Sequence, residues 1–269
     1  MSKIASNNYK DRYVALLDVL GFKRIASTHT HEHLVSVYKE LYGTIEHGLS
    51  NGRYILSHDG GKECLRPDIQ QATVNALLES DSIYIWTDDN SVESFANIVK
   101  ATRSLLALSL VSEIPLRGAI SIGPLPPGLN QRPPQTCDFP QSLIGKALIE
   151  AEKEQEWCGC EVSKAAIEFY KSTCNAGESL IDSKDIVFYP IPRKSGDVGG
   201  YAVDWVNQHV AGINIQTIQD AFAPPRDRDT KNWDKFKAEE WPRVKIKLCN
   251  TLKFMNFVTN HSPGTSPKV

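Results

Sequence analysis

The sequence has little of what marks several large classes of protein. No run approaches the roughly 18 apolar residues that a membrane-spanning helix needs, and the N-terminal "MSKIASNNYKDRY" lacks the apolar core of a secretory signal. The expectation is a cytoplasmic protein with no membrane partner. Basic charge is not in excess either, since 30 Lys and Arg stand against 32 Asp and Glu, a formal net charge of −2. That balance argues against a nucleic-acid partner, although a local cluster of cations could still grip a small polyphosphate. Six cysteines (64, 137, 158, 160, 174, 249) are scattered, and the close pair in "WCGCE" has neither zinc-finger spacing nor a His-rich neighbour. Reduced, unligated thiols are expected. Nothing repeats at a fixed period, and no segment is of low complexity.

What is present suits one large globular domain, or one domain with an appendage: 269 residues, 41% hydrophobic and 23% charged. Residues 12–19 read as a buried strand closed by Gly21. Residues 31–49 carry Leu34, Val37, Tyr38, Leu41 and Ile45 at helical spacing, with Gly48 as the expected stop. Residues 50–68 hold paired turn residues and read as a loop or small hairpin. Two strand-length runs, 74–78 and 83–87, are joined by the polar "ESDS", which predicts a hairpin with Asp81 at or near its tip. Ser91 is a good N-cap for a long helix that buries Phe95, Ile98, Val99, Leu105 and Leu106. "IPLRGAISIG" is the next strand, and residues 124–141, with six prolines, must be irregular. "SLIGKALIEAEKEQEW" returns as a helix, followed by short strand candidates "DIVFYPIP" and "GYAVDW". This order is the split βαβ pattern, an α+β fold with a ferredoxin-like βαββαβ core. The expected division is a domain over 1–205 and a mostly helical appendage over 206–269 with a frayed tail.

"YVALLDVLGF", residues 13–22, encloses Asp18 among strand residues fit for burial. A carboxylate there needs a cation, a metal or several donors. In a βαββαβ sheet the end of the first strand and the tip of the following hairpin meet at one edge, so Asp18 and Asp81 become neighbours. Two carboxylates brought together repel unless they share a proton or a cation, and hard oxygen ligands suit Mg²⁺ or Mn²⁺ with substrate phosphates completing the shell. Read singly, Asp18 could be a turn cap, and Asp88 and Asp89 are better read as caps than as ligands. Arg117 could form a surface ion pair or contact phosphate, and Lys146 could be solvated or sit at a phosphate-binding helix start.

"LLDVLGF", "ESDS" with "IYIW", "LRGAISIG" and "LIGKALIEAE" occur in an order that resembles the class III nucleotidyl cyclases over roughly residues 12–165. The resemblance implies a divalent-metal site of two Mn²⁺ or Mg²⁺ ions on Asp18 and Asp81. It also implies phosphate contacts from the Val19, Leu20, Gly21 and Phe22 turn and from Ser80 and Ser82, with Arg117, Lys146 and Lys153 neutralising charge. Where purine-specific relatives carry a base-reading lysine, four residues before the hairpin aspartate, this chain has Leu77. The family's transition-state Asn and Arg would fall near Ile149 and Lys153, so the Asn is absent and the Arg is at most a lysine. Taken together, the motifs look most like the bacterial pyrimidine cyclases of the Pycsar antiphage systems. That likeness implies a homodimer converting UTP to 3′,5′-cyclic UMP, or CTP to cyclic CMP, for a separate effector protein. A diguanylate cyclase would need a Gly-Gly-Asp/Glu-Glu-Phe hairpin, which "LESDSI" lacks. A non-catalytic nucleotide sensor on the same fold is the other alternative, although such copies usually lose a metal aspartate and both are present here.

Overall fold

The computed structural model describes residues 10–22, 30–125, 155–174, 179–207, 213–223, 238 and 240–261. In chain order these form β1 (Lys10–Val19), α1 (His31–Ser50), β2 (Tyr54–Asp59), β3 (Lys62–Pro67), β4 (Asn75–Glu79), β5 (Ser82–Trp86), α2 (Val92–Val111) and β6 (Leu116–Leu125). After residue 154 come β7 (Gly159–Val162), α3 (Lys164–Thr173), β8 (Ile186–Ile191), β9 (Val198–Val203), α4 (Ile215–Phe222) and α5 (Trp241–His261).

Seven strands form one sheet in the order β4-β5-β1-β6-β7-β9-β8, while β2 and β3 pair only with each other. The first four positions, with α1 and α2 as crossovers, are the βαββαβ core that the pattern of runs predicts, so the fold is α+β. All described pairings in the large sheet are antiparallel except β6 with β7. β1 is central and apolar on both faces. Its odd residues Tyr13, Ala15, Leu17 and Val19 enter the main core, while Val14 and Leu16 join a second cluster with Tyr84, Trp86, Ala119 and Leu125. Burial on both sides explains why the strand reads as an unbroken apolar run and not as an alternation.

Several local readings change. The 50–68 segment is the β2–β3 hairpin. Gly48 does not stop α1, which runs on to Ser50. A Cβ at residue 48 would lie 2.8 Å from Leu105 Cγ, so the glycine serves the approach of α2. The chain instead turns at Asn51 and Gly52, both left-handed with φ of 55° and 77°. Most of the helix expected over residues 142–157 lies outside the described residues, and its last three residues are not helical: Gln155 bridges to Arg193, and the Glu156 amide donates to the Pro192 carbonyl at 2.9 Å. From there "WCGCEV" enters the sheet as β7, with Trp157, Cys158 and Cys160 fully buried. Both thiols are free, and burial pushes Cys158 up to about 12 and Cys160 up as well, so they act as apolar filling.

α4 and α5 share the core of the sheet. Ile218, Phe222, Phe254 and Val258 belong to the same cluster as Leu17 and Ile85. Phe254 packs edge-on against Trp157 at 4.7 Å and Tyr189 at 4.9 Å between ring centroids. No helix among the described residues is long and apolar enough to cross a membrane.

Candidate active site

Asp18, the penultimate residue of β1, has the same side-chain parity as Val14 and Leu16, so it lies on the face of the smaller cluster. Its cross-strand partners are Ser82 on β5 and Arg117 on β6. The Asp18 carboxylate accepts from an Arg117 Nη at 3.3 Å, with side-chain exposures of 17% and 15%. Arg117 also donates to the Gln155 carbonyl at 3.0 Å. A guanidinium is thus one group that stands beside the half-buried carboxylate.

The β4–β5 hairpin turns at Ser80 and Asp81, as expected, and Ser80 takes φ 56°. The Val19 amide donates to the Asp81 carbonyl at 3.0 Å. That bond ties the hairpin tip to the end of β1 and sets Asp81 one residue from the cross-strand partner of Asp18. Ser80 and Ser82 flank it. The Leu20 amide is likewise committed, donating to Pro115 at 2.9 Å. Of the amides expected to cradle phosphate over Val19–Phe22, those of Val19 and Leu20 are therefore taken by backbone carbonyls. Gly21 has φ 81°, a conformation that favours glycine. Phe22 is fixed edge-on against Tyr38, with centroids 5.8 Å apart.

Gly118, next to Arg117, stands where two strands close on each other. A Cβ there would lie 2.0 Å from the Leu16 carbonyl oxygen, so the glycine lets β1 and β6 close and fixes Arg117 opposite Asp18. Lys146 and Lys153 lie outside the described residues. Asp89 is a cap, as anticipated: it accepts from the Ser91 amide at 2.9 Å and from the Ser94 hydroxyl. Those bonds, the Ser94 hydroxyl first, hold its pKa below the usual carboxylate range.

Sequence reasoning missed an extension of this charged row along β7. Glu161, whose neighbour on β6 is Ala119, is gripped by one Arg193 Nη at 2.7 and 2.6 Å. Gln155 links the two pairs, its carbonyl accepting from Arg117 and its amide reaching Glu161 at 3.4 Å. Burial raises the Glu161 pKa, and the pull of Arg193 offsets only part of that. Burial lowers the pKa of Lys247 on α5, and the Glu156 carboxylate opposes that shift. Neither residue stands in a motif, and only the pairing of distant segments brings them in.

Among the described residues no group of three or more His, Cys, Asp or Glu could hold a metal. Asp18 and Asp81 still fit Mg²⁺ or Mn²⁺. Mg²⁺ takes one or two carboxylates and completes its shell with water and substrate phosphate, which is the donor set at this strand end.

No protein-family model matches the sequence, and no curated protein matches it. Solved structures with a similar fold include two of a bacterial light-regulated adenylyl cyclase, each 9% identical, with TM-scores of 0.42 and 0.43. The match covers 81% of this chain and 57% of theirs. The guanylyl cyclase Cya2 is 12% identical, with a TM-score of 0.40 over 77% of this chain and 95% of that one. The likeness is distant.

Proposed function

We propose that the chain is a nucleotidyl cyclase acting on a pyrimidine nucleoside triphosphate, UTP in preference to CTP. The observation that carries this reading is the register at the end of β1: Asp18 stands between Ser82 and Arg117, with Asp81 tied alongside by its own carbonyl. Asp18 and Asp81 would hold the divalent cations. Once bound, these would acidify the ribose 3′-OH and neutralise the departing pyrophosphate. Arg117 is rigidly placed by its bonds to Asp18 and Gln155, and it would face the non-bridging oxygens of the α-phosphate as charge builds on them. The Gly21 and Phe22 amides would hold the polyphosphate, and Lys146 and Lys153 would add charge. Holding attacking oxygen, phosphorus and leaving group in line does much of the work in such a displacement.

The base preference rests on Leu77. On β4 it pairs with Tyr84 and packs against the smaller cluster, two residues along from the Asp18 row. An apolar residue there offers a purine edge no hydrogen bond. Discrimination between uracil and cytosine would then come from groups that match the polarity of the base edge. Homodimer formation and a separate effector responding to the cyclic product belong to the same reading.

The Asp18–Arg117 pair itself favours one other reading, a nucleotide sensor in which the carboxylate is occupied and no chemistry follows. Incubation with Mn²⁺ and all four nucleoside triphosphates, with products identified by mass spectrometry, decides between them. Cyclic UMP as the main product is expected, and Asp18→Asn or Asp81→Asn should lower turnover by at least about a hundredfold. Cyclic CMP would revise only the base choice, cyclic AMP or cyclic GMP would overturn the pyrimidine reading, and no cyclic product would leave the sensor.

A further inference from the structure

Gln155 is fully buried, and both ends of its side-chain amide are engaged. The oxygen accepts from the Trp157 indole N–H at 3.2 Å, and the nitrogen reaches a Glu161 carboxylate oxygen at 3.4 Å. Both partners are themselves held. Trp157 is fully buried between Tyr189 and Phe254, with ring centroids 5.6 and 4.7 Å away, and Glu161 is clamped by Arg193. A polar side chain taken out of water is costly unless its donors and acceptors are met. Here one partner donates and the other accepts, a combination that suits an amide and neither a carboxylate nor an alkyl chain. The backbone carbonyl of the same residue accepts from an Arg117 Nη at 3.0 Å. An anchored side chain thus fixes the peptide oxygen that holds the guanidinium beside Asp18.

We propose that Gln155 is a positioning residue for Arg117, its side chain holding the carbonyl that aims the guanidinium at the nucleotide phosphate. The inference rests on the nucleotide reading above and adds to the site a residue that touches no ligand. A guanidinium on a long side chain binds an anion best when it is placed before the anion arrives. Two acceptors place Arg117, the Asp18 carboxylate at 3.3 Å and the Gln155 carbonyl at 3.0 Å. In the nucleotide reading Asp18 also takes a divalent cation, so its oxygens are shared, and the Gln155 carbonyl is the acceptor that stays with Arg117. The following peptide is tied elsewhere, since the Glu156 amide donates to the Pro192 carbonyl and the Glu156 carbonyl accepts from the Asn250 side chain, each at 2.9 Å. Residue 155 itself is fixed through its side chain. The Glu161–Arg193 pair gains a use from this, because it holds a carboxylate where the buried amide needs an acceptor.

Calorimetric titration with each of the 3′-deoxynucleoside triphosphates in Mg²⁺ reads this without turnover, because a ligand lacking the 3′-OH cannot cyclise. Gln155→Met keeps the length of the side chain and removes both of its bonds, and it should weaken binding of the preferred ligand about tenfold. Gln155→Glu, equal in size, keeps the acceptor for Trp157 but sets a second carboxylate against Glu161, and it should weaken binding at least as much. In an Arg117→Met background the same two substitutions should change affinity by less than about twofold, since the group they position is gone. A buried glutamine that serves the fold alone would cost the same in either background. Wild-type affinity in both single variants, losses that add in full to that of Arg117→Met, or no binding by wild type would overturn the assignment. Coupled losses in a protein that makes no cyclic product from the natural triphosphates would sink the cyclase reading alone, and a purine as the preferred ligand would sink only the base choice.

Discussion

Asp18 and Arg117 owe their contact to a residue that has no side chain. Gly118 follows Arg117 on β6, and the 2.0 Å approach that a Cβ would make to Leu16 O cannot be relieved by a rotamer change, because the obstacle is backbone. Gly118→Ala should therefore force β1 and β6 apart at the end that carries the site. The expected cost is about 2–4 kcal/mol in urea denaturation, in the upper range for overpacking. Any cyclase activity should fall further than the fraction folded accounts for, because Arg117 shifts with the strand. A variant with wild-type stability would show that the two strands can separate without loss. The backbone that this glycine approaches is set by the β1–β6 register, which no local stretch of sequence shows.

At the scale of elements, the pairing of β7 with β9 and the nearby β8–β9 turn bring Glu161 and Arg193 together with side-chain exposures of 13% and 22%. Burial holds the Glu161 pKa above the ordinary carboxylate value, and the forked contact with Arg193 opposes that shift. A raised folded-state pKa means that the contribution of Glu161 to stability is greatest below the unfolded-state pKa and declines as pH rises through the folded one. Arg193→Met removes the opposing pull and raises that pKa further. The variant should be least destabilised near pH 4 and should lose about 2–3 kcal/mol relative to wild type near pH 7, discounted from a fully buried pair for the exposure of Arg193. Urea midpoints at the two pH values check this, and a loss that grew toward acid would contradict it. None of this network is a motif. Strands β1, β4, β5 and β6 are legible because each is an apolar run bounded by turn residues, and the Asp18–Asp81 neighbourhood follows from their order, whereas the exposed β2 and β3 show only through their turn residues. β7 was not legible, since "WCGCEV" follows a helical pattern and is short, and its strand character comes from two flanking partners.

The whole molecule sets α5 against the sheet, and the sequence hides this because the helix is not strongly amphipathic. Lys245, Lys247, Lys253 and Arg243 are dispersed around it, and its buried face is narrow: Thr251, Phe254 and Val258. The reading of residues 206–269 as an appendage follows from that thin apolar pattern. Phe254 is nonetheless fully buried and lies against Trp157, Tyr189 and Trp205, with the Trp205 centroid 5.9 Å away. It joins the helix to residues just before β7, to β8 and to the segment after β9 at once. Phe254→Ala should then cost about 3–5 kcal/mol, the range for truncating a buried aromatic whose neighbours cannot close the gap. Because these contacts belong to the main core, the loss should appear as a single cooperative transition with a lower urea midpoint and an unchanged m-value. A separate early transition, with the rest of the chain unfolding at its wild-type midpoint, would mean that α5 melts alone and that the sheet stands without it.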